Sequence, residues 1–291
     1  MLKPLPISAA IALLVTFSGL QGAEPTKADI VVATVDGHEL KLDLYLPKDV
    51  KNPPLVVFIH GGSWRANSYK NCQTPWLTEY GFAVASISYR LSQDAVFPAQ
   101  IHDCKAAVRW LRANADELGY DATRIGVAGT SAGGHLALLL GVTGGLKPYE
   151  GTVGNHADSS SAVQAVVDYY GPSDFILRSQ NQPAKTEEED SPVRQLIGGP
   201  VKENPERARF ASPVFQVGKG DAPLLILHGD KDKTVYLDQS QRMVEAYRAA
   251  GLDVALQVVP GGGHGGNAHF TPKLREKVAQ FLKKHLGPVV P

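Results

Sequence analysis

The chain has 291 residues, 43% hydrophobic and 20% charged, enough to bury a substantial core in one large α/β domain or two small ones. Lys and Arg balance Asp and Glu to a formal net charge of +0, and no basic run is interleaved with aromatics, which argues against a nucleic-acid partner.

The N-terminus, "MLKPLPISAAIALLVTFSGLQGAEPTKA", places Lys3 before an apolar run from Ile7 to Phe17, followed by small residues at Gly19, Gly22 and Ala23. The apolar run is shorter than the roughly 20 residues a bilayer span needs. It reads as a secretory signal peptide over residues 1–23, cut after Gly22 or Ala23, with an uncleaved anchor as the competing reading. No later stretch is apolar for long enough to span, so no membrane span is expected in the mature chain of residues 24–291.

Strict alternation in "ELKLDLYL" (39–46) predicts a half-buried, antiparallel strand. Six continuous apolar runs predict strands covered on both faces: 54–62, 81–90, 124–131, 162–171, 222–230 and 253–261. Between them lie helical patterns. Residues 98–115 carry Ile101, Cys104, Val108, Leu111 and Ala115 on one face. Residues 237–251 end in a glycine suited to a C-terminal cap, and 271–287 run from a proline to a glycine. Strands alternating with helices predict a mostly parallel sheet with helices on both faces, and ligands outside the carboxyl ends of its strands. Residues 172–221, rich in proline and charge, break the rhythm and read as a cap-like insertion with short helices between two late strands. The acidic run "KTEEED" (185–190) reads as solvated surface.

The residues that carry chemistry follow strand ends. "GTSAG" (129–133) lies where a buried strand meets an apolar helix, the setting of a nucleophile elbow, in which small neighbours let Ser131 project above the sheet. A capping serine in a glycine-rich turn is the bland alternative. A serine hydroxyl needs a base. His264, in the glycine loop "PGGGHGG" after the last predicted strand, is preferred over His269, while His135 reads as packed or surface. A carboxylate must orient that histidine. "HGDKDKTV" (228–235) offers Asp230 and Asp232, with Asp238 a remote third. The order Ser131, Asp232, His264 is the chain order of an α/β-hydrolase triad. Oxyanion donors are expected at the backbone N–H of Ala132 and in "HGGSW" (60–64), at Gly62 and Ser63, with His60 bracing that loop. Trp64 is expected either to wall the acyl pocket or to pack inward. Cys72 and Cys104 leave two readings open, a disulfide closing a loop of about 30 residues or two separate thiols; they do not form a zinc site.

Together, "HGGSW", "FPAQIHDCKAAVRWLRANA", "RIGVAGTSAGGHLA", "HGDKDKTV" and "PGGGHG" resemble the α/β-hydrolase superfamily over residues 36–287. Within it they are similar to secreted esterases and lipases related to bacterial feruloyl esterases and, more distantly, to the hormone-sensitive-lipase-like esterases. Ser63 at the third position of the oxyanion motif departs from the strict hormone-sensitive-lipase pattern. The resemblance implies an α/β-hydrolase fold, a triad of Ser131, Asp232 and His264, and pairing of Cys72 with Cys104. It also implies an exported serine hydrolase acting on carboxylic esters of small molecules or carbohydrates, with no metal, cofactor or nucleic acid. A peptidase or amidase using the same triad, and a non-catalytic hydrolase-like binding protein, are the alternatives. Oligomeric state is not set by these features.

Overall fold

The computed structural model describes residues 24–289; the expected signal peptide, residues 1–23, lies outside them. Eight strands form one sheet: β1 (Lys27–Val35), β2 (His38–Tyr45), β3 (Pro54–Ile59), β4 (Ala83–Ile87), β5 (Asp121–Thr130), β6 (Ala165–Tyr169), β7 (Leu224–Gly229) and β8 (Val254–Val259). Their order is β1-β2-β4-β3-β5-β6-β7-β8. The β1–β2 and β2–β4 pairs are antiparallel and every other pair is parallel. This is the predicted, mostly parallel sheet of an α/β-hydrolase.

The sequence pattern explains the layering. Strands β3, β4, β6 and β7 are buried throughout, because helices cover both faces of the central sheet. The helices are α1 (Ala99–Ala113), α2 (Ala115–Leu118), α3 (Ala132–Val142), α4 (Lys147–Glu150), α5 (Phe175–Asn181), α6 (Pro192–Ile197), α7 (Pro205–Phe210), α8 (Asp238–Ala249) and α9 (Pro272–Leu286). Leu55, Val57 and Ile59 of β3 join one core with side chains of α1, α3 and α8. Val56 and Phe58, pointing the other way, join a second core with Val278, Ala279 and Leu282 of α9.

Strand β1 is absent from the sequence-based set. It is an edge strand, mostly exposed or half-buried, so it carries no continuous apolar run. The available signal was its turn. Asp36 and Gly37, both at positive φ (50° and 83°), connect the paired residues Val35 and His38 in a two-residue hairpin of the Asp-Gly kind.

The expected Cys72–Cys104 disulfide is corrected: both thiols are free. Cys104 points from α1 into the first core, whereas Cys72 packs against the second. The sheet therefore separates them, and burial raises both thiol pKa values, keeping them protonated.

Residues 172–221 connect β6 to β7 through α5, α6, α7 and two short 3₁₀ turns. Phe175, Val193, Leu196, Ala208 and Ala211 of this segment join the first core, so it is packed onto the sheet's helix layer. Glu188, Glu189 and Asp190 of the acidic run are exposed.

Candidate active site

Ser131 sits in the single-residue gap between β5 and α3 at φ 54°, ψ −117°. A non-glycine residue there costs roughly 1–3 kcal/mol and persists only when its surroundings hold it. The Ser131 N–H donates to the Tyr169 carbonyl (2.8 Å), and the Ser131 carbonyl accepts from the His135 N–H (3.0 Å). The flanking glycines are a steric requirement. A Cβ at Gly129 would lie 2.2 Å from the Gly133 carbonyl oxygen, and one at Gly133 would lie 2.0 Å from that of Ile59. Ala132 opens α3, so its N–H has no partner within the helix and is free to face the cleft.

Beneath that turn lies Asp168 of β6, wholly buried. Its Oδ1 accepts from the Gly171 N–H (2.8 Å) and its Oδ2 has no partner. Burial pushes this carboxyl up to about 7, against smaller opposing effects of the Gly171 N–H and His228. The folded state thus holds a proton the unfolded chain releases, so stability is lost as pH rises from about 4 through about 7. Asp168→Asn is expected to raise the melting temperature by roughly 5 °C at pH 8 and to change it little at pH 4. Thermal unfolding at both pH values checks this; an equal shift at both would contradict it.

His264 follows β8 on a glycine-rich loop. Its Nδ1–H donates to Asp232 Oδ2 at 2.7 Å, and its Nε2 accepts from the Ser131 hydroxyl at 2.8 Å. The carboxylate can only accept, which fixes this tautomer. Asp232 follows β7, buried, with Oδ1 accepting from the N–H groups of Thr234 (2.8 Å) and Val235 (3.0 Å). Burial works to raise its pKa, but hydrogen bonds from His228, His264 and Val235 outweigh it and hold the carboxylate well below the usual range.

The competing residues fall elsewhere. Asp230 is exposed and accepts from the Gly261 N–H (2.7 Å), tying the acid loop to the histidine loop. Asp238 opens α8 and accepts from Asn181 (2.6 Å). His269 is buried beside the Tyr170 ring, with neither ring nitrogen hydrogen-bonded. His135 is wholly buried.

Two residues of the site were not read from the sequence. His228 is buried, with Nε2 2.9 Å from the Val235 carbonyl and 3.3 Å from Asp232 Oδ2, while Nδ1 accepts from the Ser240 hydroxyl (2.6 Å). It approaches the same carboxylate oxygen that accepts from His264. Its signal was present in "HGDKD", a histidine at the end of a buried strand. Tyr170, at φ 50°, sets its ring against His264 with centroids 4.9 Å apart.

The loop after β3 carries Gly62 at φ 114°, where a Cβ would fall 2.2 Å from the Ala66 carbonyl oxygen, and then Ser63 at φ 56°. Gly62 and Ser63 line the same cleft as Ser131 and His264, about 380 Å³ in volume, together with Asn67, Asn71, Gln73 and Thr234. His60 stacks on Tyr89 and stays inside the loop. Trp64 is corrected as a wall of the acyl pocket. It lies outside the cleft lining, 2% exposed, with its indole packed against His135 and Phe175. A larger hollow of about 690 Å³ between β8 and α9 contains none of the triad.

Fold and site together define an α/β-hydrolase. The chain matches the BD-FAE family over residues 42–247. It is 35% identical over 230 residues to esterase LipC of Mycobacterium tuberculosis, covering 77% of this chain and 56% of LipC. A truncated carbohydrate esterase from gut microbiota superposes with a TM-score of 0.81 at 34% identity, over 89% of this chain and 95% of that one. A bifunctional GH43-CE protein of Bacteroides eggerthii gives 0.81 at 36% identity, over 90% of this chain and 35% of the other. The chain spans little more than half the length of the curated relatives it matches, 56% of LipC and 60% of LipQ. It belongs to the BD-FAE family of α/β-hydrolase esterases.

Proposed function

We propose that this protein is an exported serine hydrolase that cleaves carboxylic esters through an acyl-enzyme, with acetyl or feruloyl esters of plant or algal polysaccharide, or short-chain esters, as substrates. The observation that carries this reading is the unbroken hydrogen-bond chain from Asp232 through His264 to Ser131, at 2.7 and 2.8 Å. His264 Nε2 takes the Ser131 proton as Oγ attacks the ester carbonyl. Asp232 stabilises the imidazolium and keeps its ring aligned. The N–H groups of Ala132, Gly62 and Ser63 hold the tetrahedral oxyanion. His264 then protonates the departing alcohol, and a water it deprotonates releases the acid from Ser131. No metal or organic cofactor has a step in this sequence.

The substrate class is supported by two kinds of observation. The cleft around Ser131 is lined with amides and hydroxyls (Asn67, Asn71, Gln73, Thr234), groups that pair with sugar hydroxyls. Two similar structures are those of a carbohydrate esterase and a bifunctional GH43-CE protein. Export rests on residues 1–23, and the mature N-terminus is expected directly after Gly22 or Ala23, as N-terminal sequencing of the processed protein reads out. Among the described residues no helix is long and apolar enough to cross a membrane.

A substrate panel tests the proposal. Acetylated xylan, feruloylated arabinoxylan and short-chain nitrophenyl esters are expected to be hydrolysed, and aminoacyl amides far more slowly. Amides cleaved faster than every ester would contradict it.

A further inference from the structure

Gly62, Ser63 and Trp64 are three successive residues at positive φ, 114°, 56° and 58°. Only the first is a glycine, and a tryptophan in this region is a genuine outlier. Such a conformation persists only where surrounding contacts over-determine it. Trp64 has such contacts. Its carbonyl accepts from the Ser92 N–H (2.8 Å) and hydroxyl (3.2 Å). The buried indole meets His135 edge-on at 5.2 Å and Phe175 at 5.7 Å. Its Nε1–H donates to His135 Nδ1 at 3.2 Å.

That last bond assigns the imidazole. An indole N–H can only donate, so Nδ1 is bare and Nε2 carries the proton. Nε2–H in turn donates to the Ala211 carbonyl at 2.6 Å, in the segment between β6 and β7. The same residue's backbone N–H donates to the Ser131 carbonyl at 3.0 Å. One wholly buried histidine, outside the cleft lining, thus joins the nucleophile turn, the oxyanion loop and the inserted segment.

We propose that His135 is a positioning residue: acting through Trp64, it fixes the N–H groups of Gly62 and Ser63 relative to that of Ala132, so that all three converge on one oxygen. The catalytic part rests on the esterase reading above, in which those N–H groups are the oxyanion donors. The inserted segment enters through Ala211, so a change in its seating reaches the oxyanion loop by the same bridge.

The test compares His135→Leu, which keeps bulk but pairs with neither neighbour, with His135→Gln, which offers an acceptor to Trp64 and a donor to Ala211. Trp64→Phe removes the N–H alone. Two readouts are used: kcat and KM on nitrophenyl acetate, and amide hydrogen exchange of the peptide spanning 61–66. His135→Leu and Trp64→Phe are expected to lower kcat about 50-fold with KM within about threefold, and to speed exchange in 61–66. His135→Gln is expected to recover most of kcat and the slow exchange, and the Trp64→Phe/His135→Leu double variant to be no worse than its weaker parent. Should His135→Leu fail to fold, Trp64→Phe and His135→Gln carry the comparison. Unchanged exchange in a folded His135→Leu or Trp64→Phe protein would overturn the inference, as would equal impairment by Leu and Gln. Failure of the esterase reading looks different: the unmodified protein would then hydrolyse no ester in a manner that Ser131→Ala abolishes, while the exchange comparison still decides whether His135 holds the loop.

Discussion

Replacing Ser131 by alanine is expected to lower kcat on nitrophenyl acetate by about 10⁴-fold or more, with little change in KM. The expectation follows from where Ser131 stands. Ser131 lines the cleft, and its Oγ lies 2.8 Å from a base that has no other acceptor role. Alanine removes that atom without disturbing the turn, because the Ser131 backbone bonds to Tyr169 and His135 use its N–H and carbonyl. What survives is the stabilisation offered by the oxyanion donors to an attacking water, so the loss is large but finite. Melting temperature should stay close to that of the parent, which separates lost chemistry from lost folding.

The second large effect distinguishes two aspartates only two residues apart. Asp232→Asn is expected to lower kcat by about 10⁴-fold, since an amide in that place favours the wrong tautomer of His264 and leaves the imidazolium unpaired. Asp230→Asn is expected to cost less than about tenfold, because Asp230 meets only the Gly261 N–H at the loop surface and an amide oxygen can accept that bond. Parallel kinetics on the two variants read out the difference. Comparable losses would mean that Asp230 bears on catalysis in a way the geometry does not provide.

The elements legible in the sequence are those whose environment is uniform. Strands β3, β6 and β7 are covered on both faces, and their residues are apolar but for Asp168 and His228. The turns at Ser131 and Asp232 are legible because crowding at Gly129, Gly133 and Gly229 excludes a side chain, and the His264 loop because Gly261, Gly265 and Gly266 stand at positive φ. Strand β1 is not legible, because an exposed edge imposes no such pattern. Positions that depend on which face of the sheet a side chain reaches were misread or left open. The cysteines are separated by the sheet itself, and spacing along the chain carries no record of that. Trp64 packs away from the cleft, at a positive φ that tryptophan rarely adopts. His228 shows in the sequence only as a histidine at the end of a buried strand, and Tyr170 matters through His264, distant in sequence, so no local motif announces it.

The central claim is that Ser131 is a nucleophile activated by His264. Its most direct test is reaction with a fluorophosphonate, followed by mass-spectrometric mapping of the modified peptide. A single phosphonyl adduct on Ser131, abolished in Ser131→Ala and strongly slowed in His264→Ala, is the predicted result. A folded protein that forms no adduct, or forms it on another residue, would contradict the account.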